Sequence, residues 1–579
     1  MKRVREGFSV FLWFWGGKES KKRVGLTLRL GKLTVRKKSL RLKNFLTQAQ
    51  TFGGTARSKT RLDTRLDREQ THETIASERR PDMAQPTETS GAASEATPAE
   101  GELKRGLSAR HMQMIAIGGA IGTGLFVASG KTISTAGPGG AILAYALIGI
   151  MVLFLMQSLG EMAAHLPVPG AFQTYAARYV SPSFGFAMGW NYWFNWAITV
   201  AAELVAVGEV MRYWFPDIPS WVWAAGFLVL LTGINALSAR SYGESEFWLA
   251  TIKVVTVVVF LIAGIAMIFG ILGGSSPGVS NWTVGEAPFV GGAPAVLAIF
   301  MVAGFSFQGT EMIGVAAGES ENPRRDVPRA LTSVFWRIML FYIGAMVVIG
   351  FLIPYSDPNL LTAADGNINI SPFTLIFERA GIAFAAAIMN AVILSAVLSA
   401  GNSGLYVSAR MLFALAQEGK APKMFTHINS GGVPMNALLA TAAIGAVGFI
   451  AALLSPDGAY LWLVNVSGLA GFITWVGIAV AHYRFRRAYL KQGNSLKDLP
   501  YVAPFFPAGP IIAFLMCLVV IGGQNYEAFL SGDWAGVLSS YIGLPVIIAV
   551  WLVHRVVTRD RLIPLEQIDV SGIEVKASK

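Results

Sequence analysis

Two short glycine-containing stretches interrupt long apolar runs of this sequence. Gly118–Gly124 reads GGAIGTG, and Gly304–Glu311 reads GFSFQGTE. Glycine permits backbone conformations that leave the helix, and an interrupted helix frees N–H groups at one end and carbonyls at the other. The N–H end attracts a carboxylate, and the carbonyl end attracts an ammonium group. The two stretches therefore predict a binding site for a small molecule that carries both groups, as an α-amino acid does.

The residues that we expect at this site come mainly from the two stretches. Glu311 is placed to receive an ammonium group, to gate its passage, or to bond to freed backbone N–H groups. One glycine pattern of this kind is typical of close helix packing, whereas two at corresponding places favour a site. The predicted substrate-binding residues are Gly119, Ala120, Ile121, Gly122, Thr123, Gly124, Tyr192, Glu203, Phe305, Ser306, Gln308, Gly309 and Glu311.

Two ionisable residues lie inside other apolar runs, where burying a charge is costly. Lys253 is central in TIKVV, and a buried lysine can exchange its proton because burial disfavours the ammonium form. We predict that it couples transport to protons; a static ion pair between two helices is the alternative. Glu203, in AAEL, has three possible roles: attracting a cationic substrate, carrying a proton, or pairing structurally.

Further polar residues are predicted to support the site. Glu161 comes shortly before Pro167 and Pro169, and we expect it to make a loop or gate contact. The loop Gly318–Arg325 carries mixed charges that indicate gate contacts on the inner face. Either pathway lining or hydrogen bonding between helices would explain the polar residues Ser395, Ser399 and Asn402.

A cluster of aromatic residues begins another apolar run, at Trp190, Tyr192, Trp193 and Trp196. Tryptophan and tyrosine are enriched where a membrane meets water. We therefore assign most of this cluster to the interface and expect only Tyr192 to face a cavity.

The elements that must position these residues are membrane-spanning helices. The chain is 53% hydrophobic and 14% charged, against about 25% charged in soluble domains. A spanning helix needs about 20 apolar residues. We predict spans 1–12 at 111–131, 140–164, 185–211, 221–239, 247–272, 292–317, 331–354, 371–401, 434–455, 459–482, 507–524 and 535–557. The sequence therefore predicts an all-α polytopic membrane protein with twelve transmembrane helices.

Basic residues between the spans predict their orientation. Beyond residue 82 the chain has 26 Lys and Arg, and 22 of them fall on one side of the membrane when the spans alternate. Only Lys131, Arg212 and Arg379 fall on the other side, and Lys253 lies within span 5. Because cytoplasmic loops are rich in Lys and Arg, both termini are predicted to be cytoplasmic, in the cytoplasmic (inner) membrane.

The two breaks fall in spans 1 and 6, so spans 1–5 and 6–10 are predicted to be two five-helix repeats. Because five is odd, the second repeat enters the membrane from the opposite side. Such an inverted repeat places a substrate site near the midplane in many secondary transporters. Spans 11 and 12 are predicted to be peripheral, and an open channel suits the paired breaks less well than a binding site.

The net charge of +12 comes from the N-terminal segment. Residues 1–82 hold 21 Lys and Arg against 8 Asp and Glu, so no nucleic-acid partner is predicted. We expect 1–82 to be a non-native or disordered basic extension, with translation starting at Met83; a surface-bound or targeting segment is the alternative. The remaining chain is predicted to contain a disordered cytoplasmic tail at 83–105, a transmembrane domain at 106–562 and a cytoplasmic tail at 563–579.

Metal, cofactor and enzyme chemistry are not predicted. The six histidines and the single Cys517 have no metal-ligand spacing, and no Walker loop indicates ATP binding. We assign no catalytic residue because no nucleophile and base occur together in a recognisable pattern.

Several long motifs resemble the amino acid permeases of the amino acid–polyamine–organocation superfamily. They are GGAIGTGLFVASG, PVPGAFQTYAARYVSPSFGFAMGWNYWFNW and GFSFQGTEMIGVAAGESENPRRDVPRA, joined by NWTVGEAPF, LSAGNSGLYVSARMLFALA and HYRFRRAY. The resemblance runs from about Leu103 to about Leu562 and is strongest to lysine-specific members.

The resemblance implies proton-driven import of an L-amino acid by alternating access. It implies that Ala120–Gly124 holds the substrate carboxylate, that Phe305–Gly309 helps to hold the amino group, and that Lys253 takes the place of a sodium ion in sodium-coupled relatives. The lysine-specific pattern has Asp where this chain has Glu203, so the charge is kept. L-Lysine is the implied substrate; arginine, histidine, aromatic amino acids or γ-aminobutyrate, and a second role as a lysine sensor for a membrane-bound regulator, are the alternatives.

Overall fold

The computed structural model describes residues 109–168, 170–272, 276–320, 322–364, 371–379, 381, 383–454 and 459–572. Within these ranges the chain is helical and forms no strand, only an isolated antiparallel bridge between Ile428 and Pro434. The predicted basic extension at 1–82, the predicted tail at 83–105 and residues 573–579 lie outside the described ranges.

The described helices form twelve spans that correspond to the twelve predicted apolar runs. Seven are long and apolar on their own, three more are shorter, and span 12 is a pair of helices bent by 54°. The remaining one, span 1, consists of two short helices on either side of its break. Span 1 comprises Ala109–Ala120 and Thr123–Phe126, and span 6 comprises Gly292–Ala298, Phe300–Phe307 and Met312–Ala316. The others are Ser129–His165, Pro182–Met211, Ser220–Leu237, Ala239–Ile268, Pro323–Leu352, Ala383–Gln417, Met435–Leu454, Ala459–Lys491, Ala508–Gly523, and Trp534–Tyr541 with Gly543–Thr558.

Span 5 begins earlier than its apolar run does. It starts at Ala239 rather than 247, because the Ser238 side chain accepts a hydrogen bond from the Ser241 N–H at 3.0 Å and caps the helix. The first two turns are polar, so hydropathy alone misses them. The correction matters because it brings Glu246 inside the helix.

Span 8 is also placed differently from the prediction of 371–401. The segment Pro372–Arg379 is a short separate helix, and the span itself runs over Ala383–Gln417. Gly381 lies between them with φ of 73°, a left-handed conformation that ends a helix and that glycine adopts without strain. An apolar composition on both sides of this turn conceals it in the sequence.

The two breaks are shorter than the glycine-rich stretches that predict them. In span 1 the helix is interrupted only at Ile121 and Gly122, and the span ends at Phe126 rather than at 131. In span 6 the helix continues to Phe307, and the interruption covers Gln308–Glu311.

Equivalent helices of the two predicted repeats pack against each other. Span 3 makes its most extensive contact with span 8, and span 2 makes its most extensive contact with span 7. This pairing is what an inverted repeat of spans 1–5 and 6–10 would produce, although the repeat itself stays a prediction. Span 11 packs on spans 2 and 10, and the helix Gly543–Thr558 of span 12 has no buried residue.

The described part of the C-terminal tail, residues 563–572, lies against the ends of spans 2 and 10. The Ile563 N–H donates to the Val180 carbonyl at 3.0 Å, and a ring nitrogen of His165 lies 2.8 Å from the Val570 carbonyl. The Gln492 side chain donates to the Ile568 carbonyl at 2.7 Å.

Candidate functional site

The breaks of spans 1 and 6 cross in direct backbone contact. A Cβ added to Gly309, whose φ is 100°, would lie 2.4 Å from the carbonyl carbon of Gly119. A Cβ on Gly124 would lie 2.6 Å from the Cα of Ser306. No side chain fits between the two backbone segments at these points, so glycine is required for the crossing.

Tyr342 of span 7 connects the two breaks. Its hydroxyl lies within hydrogen-bonding distance of the Ala120 carbonyl, at 2.8 Å, and also of the Ser306 carbonyl. The Tyr145 hydroxyl of span 2 is 3.0 Å from the Ser306 hydroxyl. Carbonyls that the breaks free thus find partners on the neighbouring helices, as buried backbone groups must.

A narrow cavity lies beside the crossing, about 10 Å³ in volume, which admits about one water molecule. An amino acid could therefore enter only if these walls moved apart. The cavity is lined by Gly119, Ala120, Gly122, Gly124, Trp196, Thr199, Glu203, Phe305 and Gln308. Seven of these nine residues belong to the predicted set.

Glu203 is the carboxylate of this cavity. It lies in span 3 and is 3% exposed. Its Oε1 accepts a hydrogen bond from the Thr123 hydroxyl at 3.1 Å. Its Oε2 is buried and has no hydrogen-bond partner among the described residues. A buried carboxylate oxygen without a donor costs free energy, and a ligand's ammonium group would remove that cost.

Lys253 is completely buried in span 5 and donates to the Gly118 carbonyl, in the last turn before the first break. Its charge also interacts with Glu203 and with Glu246. The lysine thus contacts the broken helix directly and is within electrostatic reach of the cavity carboxylate.

Six predicted residues do not line the cavity; two of them are Thr123, which donates to Glu203, and Gly309, which crosses Gly119. Glu311 accepts from the Gly309 N–H at 3.0 Å and from the Trp475 indole at 3.4 Å, the third of the roles considered for it. Tyr192 packs on Phe172, with ring centroids 4.4 Å apart. Ile121 is buried, and Ser306 faces Tyr145.

Gln308 lines the cavity but is held mainly by span 10. Its side-chain amide donates to the carbonyls of Gly468, at 3.2 Å, and Ser467, at 3.4 Å. Gly471 provides the room for it, because a Cβ there would lie 1.9 Å from Nε2. The second break is therefore fixed to span 10 as well as to span 1.

The sequence analysis missed Trp196 and Thr199. Trp196, assigned there to the membrane interface, is 1% exposed and lines the cavity with Thr199 and Glu203. The three residues have spacings of three and four, which places them on one helix face. Following the helix face of Glu203 toward the N-terminus for two turns would have identified both Trp196 and Thr199.

Two buried ion pairs join the helices at one end of the bundle. Glu161 of span 2 accepts from the Arg486 Nε at 2.5 Å and from the Ala503 N–H at 2.7 Å. Glu319 accepts from the Tyr406 hydroxyl at 2.9 Å and pairs with Arg410 of span 8. The sequence analysis predicted loop or gate contacts for Glu161 and for the loop Gly318–Arg325; these contacts join helices, and a gating role stays a prediction.

Of the three polar residues of span 8 that the sequence analysis considered, two form hydrogen bonds between helices. Ser399 and Asn402 both donate to the Glu246 carboxylate, whereas Ser395 donates to the Val392 carbonyl in its own helix. Among the described residues, no group of three His, Cys, Asp or Glu side chains is arranged to hold a metal ion.

Comparison with known proteins identifies the family. The family model for amino acid permeases matches residues 111–564. The chain is 57% identical over 458 residues to the lysine-specific permease LysP of Escherichia coli K12, covering 79% of this chain and 94% of that relative. It is 48% identical to LysP of Lactococcus lactis, covering 82% and 94% of the two chains. It is also 48% identical to the histidine permease HisP of that organism, covering 82% and 99%.

These matches confirm the predicted family and the predicted class of twelve-span, all-helical membrane transporter. They also confirm the general prediction of amino acid import and assign the chain to the inner membrane as a multi-pass protein. The chain belongs to the amino acid permease family.

Proposed function

We propose that this protein imports L-lysine together with protons by alternating access. The identity of 57% to a lysine-specific permease over most of both chains supports the substrate. Related permeases include a histidine permease at 48% identity, so overall sequence identity distinguishes lysine from other substrates only weakly. The stronger support comes from the cavity itself.

The observation that carries the proposal is the unpaired Oε2 of Glu203 in the cavity wall. Lysine differs from neutral amino acids by a second ammonium group. A buried carboxylate that already accepts from Thr123 on one oxygen leaves the other for this charge. Burial makes the preference large, because a neutral side chain would leave the charged oxygen unpaired.

The backbone at the breaks is proposed to bind the part common to all amino acids. Gly122, Thr123 and Gly124 start a new helical turn, whose N–H groups suit the substrate carboxylate. Gly119 and Ala120 end the preceding half-helix, whose carbonyls suit the α-ammonium group together with Phe305 of span 6. Gln308 and Gly309 keep the second break against the first.

Proton coupling is assigned to Lys253 with Glu203. The Lys253 ammonium donates to the carbonyl of Gly118, the residue directly before Gly119 in the cavity wall. Losing its proton would weaken that contact and free the end of the half-helix. The proposed orientation has both termini in the cytoplasm.

The test is uptake of labelled lysine into proteoliposomes under an imposed proton gradient. We expect accumulation against the lysine gradient, strong competition by unlabelled lysine, and weak competition by neutral amino acids. The Glu203→Gln variant should bind lysine more weakly by about tenfold or more, given about 1.5–3 kcal/mol for a hydrogen bond to a charged group.

Lysine uptake that is unchanged by the proton gradient would rule out proton coupling. Equal competition by histidine or a neutral amino acid would rule out lysine as the preferred substrate. Glu203→Asp serves as the matched control, since it retains the charge and should retain the preference.

A further inference from the structure

A second buried carboxylate, Glu246, lies on the helix that carries Lys253. It is 0% exposed and does not line the substrate cavity. Carboxylates buried in the spanning helices of a membrane protein are costly and typically have a function. Neither substrate binding nor the two ion pairs at the end of the bundle accounts for it.

Glu246 and Lys253 share one face of span 5 and one neighbour. Seven residues correspond to about two helical turns, or about 10 Å along the axis. Gly118 lies between their side chains: its carbonyl accepts from Lys253, while a Cβ on it would lie 1.7 Å from Oε1 of Glu246. The absent side chain of Gly118 is therefore what admits the carboxylate.

The remaining contacts of Glu246 come from span 8. Ser399 donates to Oε1, and the Asn402 amide donates to Oε2 at 3.3 Å. Asn402 is itself held by the Asn235 amide of span 4 at 2.7 Å. Serine and asparagine can each turn to suit a carboxylate or a carboxylic acid, so the surroundings accommodate both protonation states.

The charged and titratable groups around Glu246 are few. Lys253 and Tyr242 lie on its own helix, and Glu203 of span 3 lies beyond Lys253. From span 8, Tyr406 stacks on Tyr242 with centroids 3.9 Å apart, and Arg410 lies behind it. Lys253 is thus flanked by one carboxylate in the cavity and by another outside it.

We infer that Glu246 is the acceptor to which Lys253 passes its proton when the proton leaves the site. The inference rests on the proposed proton coupling. A proton moves from Nζ of Lys253 to the Glu246 carboxylate, leaving a neutral amine and a carboxylic acid. The acid then releases that proton to cytoplasmic water and becomes a carboxylate again. In the proposed orientation Glu246 is two turns nearer the cytoplasm than Lys253 is.

The geometry gives a reason for this order of events. Gly118 belongs to the half-helix Ala109–Ala120, which is separated from the rest of span 1 by the break. If this half-helix moves during alternating access, the Gly118 carbonyl leaves the ammonium and no longer separates it from Glu246. Glu246 and Lys253 both lie on span 5 and move together. Glu246 therefore remains near the ammonium group after the Gly118 carbonyl has left it.

The Glu246→Gln variant tests this in proteoliposomes through two activities. We expect proton-driven accumulation of lysine to fall by about a hundredfold, the lower range for loss of a proton-transfer group. Exchange of lysine across the membrane without a gradient should stay near the wild-type rate, because it requires no net proton release. Glu246→Asp should recover part of the accumulation.

Glu244→Gln is the matched control. Glu244 lies on the same helix but is partly exposed and pairs with Arg110 and His111, so both activities should be unchanged. Wild-type accumulation by Glu246→Gln, or equal loss of accumulation and exchange, would overturn the inference. Failure of the wild-type protein to respond to the gradient would instead overturn the proposed proton coupling.

A second measurement uses the wild-type protein and does not depend on folding of a variant. A hydrophobic carbodiimide modifies buried carboxylic acids in their protonated form, and mass spectrometry of peptides locates the modification. We expect labelling of Glu246 that increases as the pH is lowered and that parallels loss of proton-driven accumulation. Absence of labelling at Glu246 over the pH range in which transport responds to protons would exclude it as a carrier.

Discussion

At the scale of single residues, the site depends on how Glu203 is held. One of its oxygens accepts from Thr123, and the other has no donor among the described residues. Thr123 belongs to the broken span 1, so its hydroxyl connects the cavity carboxylate to the segment that is proposed to bind the substrate carboxylate. In the proposed site, affinity for a cationic side chain would therefore depend on the orientation of Glu203 as well as on its charge.

Replacing Thr123 by valine tests this dependence. The change keeps the branched shape but removes the donor, and a hydrogen bond to a charged group contributes about 1.5–3 kcal/mol. We expect the KM for lysine uptake to rise about tenfold or more, with competition by neutral amino acids less affected. Thr132→Val is the control, because the Thr132 hydroxyl donates to the Ser129 carbonyl, away from the cavity; an equal effect there would contradict the assignment.

The sequence predicts residues of this kind unevenly. The glycines and Glu203 are identifiable because they are anomalies within apolar runs. Trp196 is not, since an aromatic residue near the start of a span is typical both of an interface and of a cavity wall. Glu246 was missed for a different reason: the first turns of span 5 are polar, so the predicted span began only at 247, whereas the helix of the structure begins at Ala239.

At the scale of elements, the important feature is the crossing of two interrupted helices. Hydropathy predicts where a span lies but not how its backbone turns. Span 8 was therefore predicted too early in the sequence, and the two breaks were predicted to be longer than they are. The crossing itself depends on backbone approach between Gly119 and Gly309. Contacts of this type are non-local, so the sequence of either stretch alone cannot specify them.

Gly309→Ala should separate the two breaks. A left-handed conformation costs a non-glycine residue about 1–2 kcal/mol, and here the added Cβ also meets the Gly119 backbone at 2.4 Å. We expect loss of transport together with a lower melting temperature. Gly493→Ala is the matched control, since Gly493 has φ of 82° with open space around its Cβ position among the described atoms; transport by that variant should persist. Equal loss in both would indicate that backbone strain, rather than the crossing, is responsible.

At the scale of the whole molecule, paired helices pack around the two breaks where the site is proposed. Spans 2 and 7 and spans 3 and 8 pack as pairs around the breaks, while the buried pairs Glu161–Arg486 and Glu319–Arg410 hold one end together. Access from that end requires some of these contacts to separate. The helices are thus interrupted at the centre of the bundle and joined by buried ion pairs at one end.

The C-terminal tail is expected to stabilise the end of the bundle. Arg178 donates to the carbonyls of Asp569 and Ser571, each at 2.7 Å, and Ile568 is buried at 2% exposure. Deleting residues 563–579 would expose this surface, leave the His165 ring nitrogen without the Val570 carbonyl, and remove one of the two carbonyl acceptors of Arg484. We expect the purified protein to melt several degrees lower.

The control is Glu566→Ala, which removes only the exposed pair with Lys491; such surface pairs contribute about 0–1 kcal/mol, so its melting temperature should match the wild type. An unchanged melting temperature after the deletion would show that the tail lies on the bundle without stabilising it.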